Sequence, residues 1–415
     1  MTGTRGTRAT IAVWTLTRAA LLLCVFKVVT VPGPDVTSDV SVIYRGWYEV
    51  LRSGTYPLSD VTWQYPPAAA LAVASPAVLP FLGYASAFFV LAFLCDALVL
   101  GLLLRAARGA GRSARGAWVW VAGVPLLGPT AYARYDVMVT AVAVAALLAG
   151  VGRPRLLGAL AAFGALLKVW PALLLVGTPP GRATRRAWTS AAVTAALLTA
   201  FACAALPGAL AFLTFQRDRG TEVESLGALV FQVWRHFGWE GGVRLSYGSV
   251  EFVGPYVPLV SSLALALSLL ALGWLLVWRL RARTYPAHTV CDAAFAAVLL
   301  FTTTSRVISP QYLLWLVGLG AVCATLRASR TVPSVLLVVA ATGVTLLEFP
   351  LGFAHVVAGD PLGVLLLFVR NGLLAAATLL ACGRLWRETV SGPRRAAAAA
   401  DVSPDAAAPD RATAP

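Results

Sequence analysis

Long apolar runs separated by short loops limit most strongly how this chain can fold. Several runs approach the roughly 20 apolar residues that an α-helix needs to cross a bilayer. The first, at 11–31, is long for a signal-peptide core and lacks an Ala-x-Ala ending, so we treat it as a retained helix. Hydrophobic residues make up 59% of the 415 residues and charged residues 12%, which excludes an ordinary soluble domain. We therefore predict an all-α, polytopic membrane helix bundle with about 10–13 membrane segments.

The bundle is expected to occupy residues 1–390, and the tail 391–415, rich in Ala, Pro and Asp, is predicted to be a disordered cytoplasmic segment. Two interior segments are too short or too interrupted for ordinary spans. We expect 66–81 to be an embedded segment and 154–178 to be a re-entrant hairpin, since broken helices at membrane depth require protein or a water-filled cavity around them.

The positions of the charged residues along the chain indicate how it is oriented in the membrane. The net charge of +15 is carried by arginines in short loops between apolar runs, which is typical of cytoplasmic loops rather than of a nucleic-acid surface. The acids gather in two large loops, at about 32–64 and 207–255. We predict that these loops face outward, that both termini are cytoplasmic, and that any chemistry takes place at the outer face. Arginine in place of lysine and abundant alanine suggest a bacterial cell membrane.

The first outer loop contains the most informative stretch, Asp39–Pro67. Asp39 begins an amphipathic helix that Gly54 and Pro57 end, and we expect this helix to lie flat in the membrane interface. At a helix N-terminus the dipole favours an ionised carboxylate, the form that a general base needs. The local sequence alone favours a plainer helix cap, worth about 1 kcal/mol. Asp35 is a weaker candidate. The apolar face of the predicted helix comprises Val40, Ile43, Tyr44, Trp47, Val50 and Leu51.

Two further outer segments carry charges whose role the sequence leaves open. Phe215–Ser225 holds two arginines and three acids; it can clamp a phosphate and sugar hydroxyls, or be a solvated loop with weak surface ion pairs. Thr304–Tyr312 joins two apolar runs through Arg306. A cation there suits an anionic lipid headgroup, and the alternative is a side chain that merely reaches up to the interface.

Lys168 lies between apolar runs, where an ionisable group usually faces a cavity or a partner. Near a hairpin end it would simply reach the interface. Arg134 and Asp136 share this ambiguity, and we consider that they pair with each other. His355 is a weaker candidate. The sequence shows no nucleotide-binding glycine loop and no His/Cys metal cluster, so we predict no cofactor and no metal ligands, although a divalent metal is not excluded.

Together these residues resemble glycosyltransferase family 87, membrane enzymes of the GT-C superfamily. The resemblance covers roughly 10–390, and Arg306 stands where lysine is more usual in one bacterial branch. The motifs of this sequence that carry the resemblance are an outer-loop Asp that begins an interfacial helix, then Gly54-Thr-Tyr-Pro57, Asp60, Trp63-Gln-Tyr-Pro-Pro67, Arg217–Ser225, Leu167-Lys-Val-Trp-Pro171 and Ser309-Pro-Gln-Tyr-Leu-Leu-Trp315.

The resemblance implies transfer of a hexose, typically mannose, from a polyprenyl phosphate to a glycolipid or glycan outside the cytoplasm, with inversion. The position that matches the family's base is Asp39. A polyprenyl phosphate leaves as an anion without a general acid, so one carboxylate can suffice, unlike the pair in glycosidases, and cations must stabilise the departing phosphate. The candidate substrate-binding residues are Arg306, Lys168, Arg217, Arg219, Glu224, Tyr65, Gln311 and His355.

Two other classes compete with an enzyme. A lipid or sugar transporter or flippase would use a midplane site formed by repeats and broken helices. The sequence shows no clear internal repeat, and its acids gather at one face. A noncatalytic membrane subunit is the third class.

Overall fold

The computed structural model describes residues 2–150, 152–215 and 220–392. The predicted ligands Arg217 and Arg219 lie outside these residues, as does the predicted tail beyond residue 392. The described α-helices are α1 (Thr2–Val25), α2 (Arg45–Arg52), α3 (Ala69–Ala74), α4 (Tyr84–Ala106), α5 (Arg115–Gly123), α6 (Asp136–Gly150), α7 (Pro154–Leu167), α8 (Arg182–Ala205), α9 (Phe212–Phe215), α10 (Ala228–Trp234), α11 (Val257–Arg281), α12 (Thr289–Thr304), α13 (Tyr312–Thr325), α14 (Val332–Leu346), α15 (Phe353–Ala358) and α16 (Pro361–Trp386).

Short turns of tighter or wider helix extend or connect these elements. Asp39–Tyr44, Leu347–Leu351 and Arg387–Ser391 are π-helical, whereas Ser75–Val78, Pro125–Ala131, Trp170–Leu175 and Arg235–Phe237 are 3₁₀ turns. Strands β1 (Gly242–Ser246) and β2 (Ser249–Val253) form an antiparallel hairpin within the predicted second outer loop.

The predicted all-α, polytopic architecture is confirmed. Six described helical stretches are long and apolar enough to cross a membrane, and shorter apolar helices accompany them. The helices form layers: α12 and α13 are buried over nearly their whole length, whereas α8 and α11 expose most of their apolar side chains, as expected for helices that face lipid. The six long stretches are Gly6–Val25, Tyr84–Ala106, Arg182–Ala205, Val257–Arg281, Val332–Leu351 and Pro361–Ser391.

The two interior segments with broken hydrophobicity are broken in the structure as well. In the first, α3 continues into a 3₁₀ turn at Ser75–Val78. In the second, α7 stops at Leu167, Lys168 adopts an extended backbone, and the 3₁₀ turn Trp170–Leu175 follows. The α7 helix then lies directly against α8, since a Cβ on Gly158 would come within 2.0 Å of the Ala187 carbonyl oxygen.

A fully enclosed ion pair ties α1 to α4. Arg18 Nε lies 2.7 Å from Asp96 Oδ2, and both side chains are buried. The other hydrogen bonds of Asp96 come from Trp14, Trp120 and Tyr132, so the charge that apolar surroundings would penalise is neutralised and bonded. We interpret this pair as part of the scaffold.

Candidate active site

The candidate site is built around the segment Arg134-Tyr135-Asp136, at the start of α6. Arg134 Nη2 lies 2.6 Å from Asp39 Oδ2, and Arg134 Nη1 donates to the Val36 carbonyl oxygen at 3.0 Å. Asp136 Oδ1 instead lies 2.7 Å from Lys168 Nζ. The alternative that Arg134 and Asp136 pair with each other is therefore wrong: the two residues make separate ion pairs, one with the Asp39 loop and one with the break after α7.

Asp39 occupies the first position of the helical segment Asp39–Tyr44, as predicted, but it does not cap it. Ser38 precedes the segment without a side-chain cap, and Asp35 stabilises the turn before it, where its Oδ1 accepts hydrogen bonds from Thr37 N at 3.0 Å and Thr37 Oγ1 at 2.6 Å. Asp35 Oδ2 accepts from Lys27 Nζ at 2.7 Å. Burial raises the pKa of Asp35, but the bonds from Lys27 and Thr37 outweigh it and lower that pKa overall.

The amphipathic helix after Asp39 packs its aromatic face on protein rather than on lipid. Tyr44 stacks on Trp47 at 5.4 Å and contacts the rings of Phe88 and Tyr135. Val40, Tyr44, Trp47 and Leu51 are buried. Aromatic partners from α4 and the α6 segment cover this face, so its side chains contact protein, and the position of the helix relative to the membrane interface stays a prediction. The same contacts fix the position of Asp39.

Asp60, the third aspartate of this loop, supports the turn. Its Oδ1 accepts from Thr62 N and Thr62 Oγ1 at 2.8 and 2.5 Å, and its Oδ2 accepts from Trp47 Nε1 at 2.7 Å. Burial acts to raise the pKa of Asp60, but these hydrogen bonds prevail and lower it. Its carboxylate oxygens are thus already engaged by the loop itself.

Lys168 lies inside an aromatic cage. Its Nζ is 5.0–5.6 Å from the ring centres of four aromatic residues, each close enough for a cation–π contact. Its partner Asp136 also accepts a hydrogen bond from Trp315 Nε1 at 2.6 Å. Three sequence motifs that lie far apart in the chain therefore meet around one ammonium group. The four cage residues are Tyr65, Tyr135, Tyr312 and Trp315.

Arg306 lies in a segment that the second outer loop holds in place. Glu222 N donates to the Arg306 carbonyl oxygen at 3.0 Å, and the buried Glu222 carboxylate accepts from Ile308 N at 2.7 Å and from Ser309 Oγ at 3.3 Å. Arg306 also lines a largely apolar groove of about 210 Å³ between α11 and α12. Arg306 lies at the end of that groove that is formed by the C-terminus of α12. Gln311, half-buried, precedes α13 and the cage residue Tyr312.

Glu224 and His355 have other partners. Arg370 Nη2 donates to the Glu224 carbonyl oxygen and to Glu348 Oε1, both at 2.8 Å. Burial and the nearby Glu348 carboxylate raise the pKa of the Glu224 carboxyl well above its usual range. His355 Nδ1 lies 2.5 Å from Asp360 Oδ2. These contacts connect Glu224 and His355 to the turn Leu347–Leu351 and to the start and middle of α16 rather than to the aromatic cage.

A group that the sequence reasoning missed lies at the other end of α12. Ligand atoms of His288, Asp292 and Glu388 all lie within 4.8 Å of one another. The i, i+4 spacing of His288 and Asp292 was a signal that these two share a helix face, but Glu388 is 96 residues away from Asp292 in the sequence. No local pattern could add the third residue.

Comparison with known proteins identifies the chain. The family model of glycosyltransferase family 87 matches residues 63–310, which is more than half of the sequence. The chain belongs to glycosyltransferase family 87. The resemblance to family 87 seen in the motifs is thereby confirmed. The match includes the Trp63–Pro67 motif, Lys168 and Arg306 but begins after Asp39, so the role of Asp39 stays a prediction.

Among solved structures, this family 87 chain is similar to the crystal structure of ArnT from Cupriavidus metallidurans bound to undecaprenyl phosphate. The identity is 16%, the similarity covers 97% of this chain and 80% of ArnT, and the TM-score is 0.44. A comparison with curated proteins found no match. Family membership makes the protein a membrane glycosyltransferase, which leaves the transporter and flippase interpretations without support.

Proposed function

We propose that this glycosyltransferase moves a hexose, mannose in the first instance, from a polyprenyl phosphate to a glycolipid or glycan outside the cytoplasm. The observation that carries the proposal is the Asp39–Arg134 pair. Asp39 Oδ2 is fixed by the guanidinium at 2.6 Å, yet the Asp39 side chain remains 30% exposed. Among the residues that the structure describes, none donates a hydrogen bond to its other oxygen. This is the geometry of an oriented carboxylate with one oxygen open to a substrate hydroxyl.

In the proposed reaction, Asp39 Oδ1 accepts the proton of the acceptor hydroxyl as its oxygen attacks the anomeric carbon. The bond between that carbon and the phosphate oxygen breaks, and the polyprenyl phosphate leaves with the electron pair. Attack from the side opposite the leaving group inverts the anomeric configuration. Arg134 contributes by orientation, because it holds the carboxylate in one direction before the substrate arrives.

The leaving phosphate needs a cation, and Arg306 is our candidate. The groove beside it is lined by leucine, alanine and phenylalanine side chains with few polar groups, which suits a polyprenyl chain, and a guanidinium at its outer end suits the phosphate. Lys168 is a second cation. Since its ammonium is paired with a buried carboxylate, we propose that it mainly positions Tyr65 and Tyr312 and leaves the phosphate to Arg306.

The remaining residues that the sequence predicted as substrate ligands are also proposed here, and they differ in what supports them. Tyr65 belongs to the cage and Gln311 adjoins it, so both are proposed to contact the sugar. For Arg217, Arg219, Glu224 and His355 the proposal rests on the sequence motifs alone. Because arginine and lysine side chains can compensate the phosphate charge, we propose a transfer that uses no cofactor.

A transfer assay tests the proposal. Purified full-length protein is given a polyprenyl-phosphate mannose labelled in the sugar, together with lipid and glycan fractions of a bacterial envelope. We expect label in an acceptor and release of an equal amount of polyprenyl phosphate. In proteoliposomes, donor that crosses the bilayer with its sugar still attached would instead indicate a flippase. No turnover with any acceptor, by protein that still binds the donor, would favour a noncatalytic subunit.

Labelling of single cysteines tests the proposed outer face and the cytoplasmic termini. Ser53, exposed at the end of α2, belongs to the Asp39 loop, and Ser113 belongs to an arginine-rich loop. In a cysteine-free background within intact bacterial cells, an impermeant reagent should modify Ser53→Cys and spare Ser113→Cys. The reverse pattern would place Asp39 in the cytoplasm and contradict the proposal.

A further inference from the structure

The cluster of His288, Asp292 and Glu388 lies at the opposite end of α12 from Arg306. The helix has 16 residues, so about 24 Å separates its two ends. His288 immediately precedes α12, Asp292 is in its first turn, and Glu388 follows α16. The cluster therefore lies away from the candidate active site, and the proposed transfer reaction does not use it.

We propose that this cluster binds one divalent transition metal ion, Zn²⁺ being the best match, and that the ion joins the start of α12 to the end of α16. One imidazole nitrogen and two carboxylate oxygens form a donor set that Zn²⁺ accepts, with a water molecule in the fourth position. No such ion takes part in the transfer step. Its role is to fasten two helices at this end of the bundle.

The distances fit such an ion. Two atoms bound to a tetrahedral Zn²⁺ at about 2.1 Å lie roughly 3.4 Å apart. The observed distance from His288 Nε2 to Glu388 Oε2 is 3.3 Å. The other distances between ligand atoms of the cluster are at most 4.8 Å. A movement of a ligand atom by at most roughly 1.4 Å would therefore bring each of them to the separation expected around the ion. Small rotations of carboxylate side chains supply shifts of that size.

The charges also fit. Asp292 and Glu388 place two carboxylates together, and Asp292 is buried. Glu388 Oε1 is a buried atom without a hydrogen-bond partner among the described residues. Arg330 Nε lies 3.8 Å from it, beyond hydrogen-bond distance, on a side chain that is 80% exposed. A divalent cation would balance both carboxylates and occupy the open lone pairs.

Neighbouring residues hold the ligands in place, as is usual around metal ions. Ser329 Oγ donates to Asp292 Oδ1 at 2.7 Å and is itself hydrogen-bonded to Thr331 at 2.8 Å. Thr389, next to Glu388, accepts from Trp278 Nε1 at 2.9 Å through its hydroxyl and from the Arg283 amide at 2.9 Å through its carbonyl. Two of the three ligands are thus oriented before any ion arrives.

The test uses the full-length protein, purified in detergent through a tag without histidine and stripped with a chelator. The probe is Zn²⁺ alone. We expect one Zn²⁺ per chain by elemental analysis after gel filtration, and a thermal midpoint higher by about 2–5 °C at 100-fold excess over Kd. Co²⁺ in place of Zn²⁺ should give the visible absorption of a four- or five-coordinate ion.

His288→Ala and Glu388→Gln should each abolish stoichiometric binding and the thermal shift. His236→Ala is the matched control, since His236 is exposed in the second outer loop, and it should bind like the parent. Absence of stoichiometric Zn²⁺ in the parent would overturn the proposal. So would unchanged binding in both site variants, because the ion would then be bound elsewhere. If a variant does not fold, the parent stoichiometry and the Co²⁺ spectrum decide.

Discussion

Two ion pairs extend from the same three-residue segment, and their surroundings differ. Arg134 contacts Asp39, whose side chain is 30% exposed, whereas Asp136 contacts Lys168 and is only 1% exposed. Asp136 Oδ1 accepts from both Lys168 and Trp315, and four aromatic rings surround the ammonium. Asp39 has Arg134 as its ion-pair partner among the described residues and lies in the loop between α1 and α2.

The difference separates a reacting carboxylate from a positioning one. A buried ion pair contributes little net stability, but removing one partner leaves an uncompensated charge and is strongly destabilising. A half-exposed pair tolerates such a change, because water solvates the remaining partner. The enclosed pair should therefore be needed mainly for the fold, and the open pair mainly for the reaction.

Replacing Asp39 should produce the largest effect. Asp39→Asn keeps the shape of the side chain and removes the proton acceptor, so the rate of sugar transfer should fall by about 10²–10⁴-fold. The thermal midpoint should change little, because Asp39 caps no helix and its ion pair is partly solvated. Initial rates and thermal stability would be measured in the same detergent.

Asp35→Asn is the matched control, since Asp35 lies in the same loop but is engaged by Thr37 and Lys27. Its effect on the rate should be much milder. Donor binding should persist in Asp39→Asn, because the base acts on the acceptor. Transfer by Asp39→Asn at close to the parent rate would show that the open carboxylate is not the base.

Replacing Asp136 tests the other side of the comparison. Asp136→Asn leaves the Lys168 ammonium in its aromatic cage without a carboxylate, and the free energy of unfolding should fall by about 3–5 kcal/mol. Glu49→Gln disrupts the exposed Glu49–Arg52 pair, 3.6 Å apart, and should cost less than about 1 kcal/mol. Thermal or denaturant unfolding measures both. Equal stability of the two variants would show that the cage does not enclose the charge.

The helices could be predicted from the sequence because a helix that crosses a bilayer must be both long enough and apolar enough to do so. The apolar runs Tyr84–Ala106 and Pro361–Trp386, for example, are each a single helix in the structure. The interruption at Lys168 could also be predicted, because a lysine within apolar sequence usually faces a partner or a cavity and Pro171, three residues later, disfavours a continuous helix. Family 87 motifs then indicated which separated segments belong to one site.

The sequence did not predict which charged residues form ion pairs with each other. Arg134 and Asp136 are near neighbours in sequence, yet each bonds a residue at least 32 positions away. Asp96 accepts a hydrogen bond from Arg18, which is 78 positions away in sequence. His288 contacts Glu388, which is 100 positions away. Such contacts depend on how helices pack, which local periodicity does not encode. The turn in which Asp35 accepts hydrogen bonds from Thr37 was missed because the prediction considered only Pro34 and Val36, the residues beside Asp35.

Arg306 is a cation that belongs to neither the Arg134–Asp39 pair nor the Lys168–Asp136 pair. Replacing it should produce the smallest of the predicted effects. Arg306→Ala should raise the KM for the polyprenyl-phosphate donor by about 10–100-fold, the usual value of a charge-assisted hydrogen bond, and leave the acceptor KM nearly unchanged. Arg306→Lys keeps the charge without the planar guanidinium, so it should recover part of the donor affinity. Arg244→Ala, on the exposed strand β1, is the control and should behave like the parent. Steady-state kinetics with each substrate varied in turn separates the two KM values. If Arg306→Ala changes neither, the phosphate is held by another cation, and Lys168 would then have to act on the donor despite its pairing with Asp136.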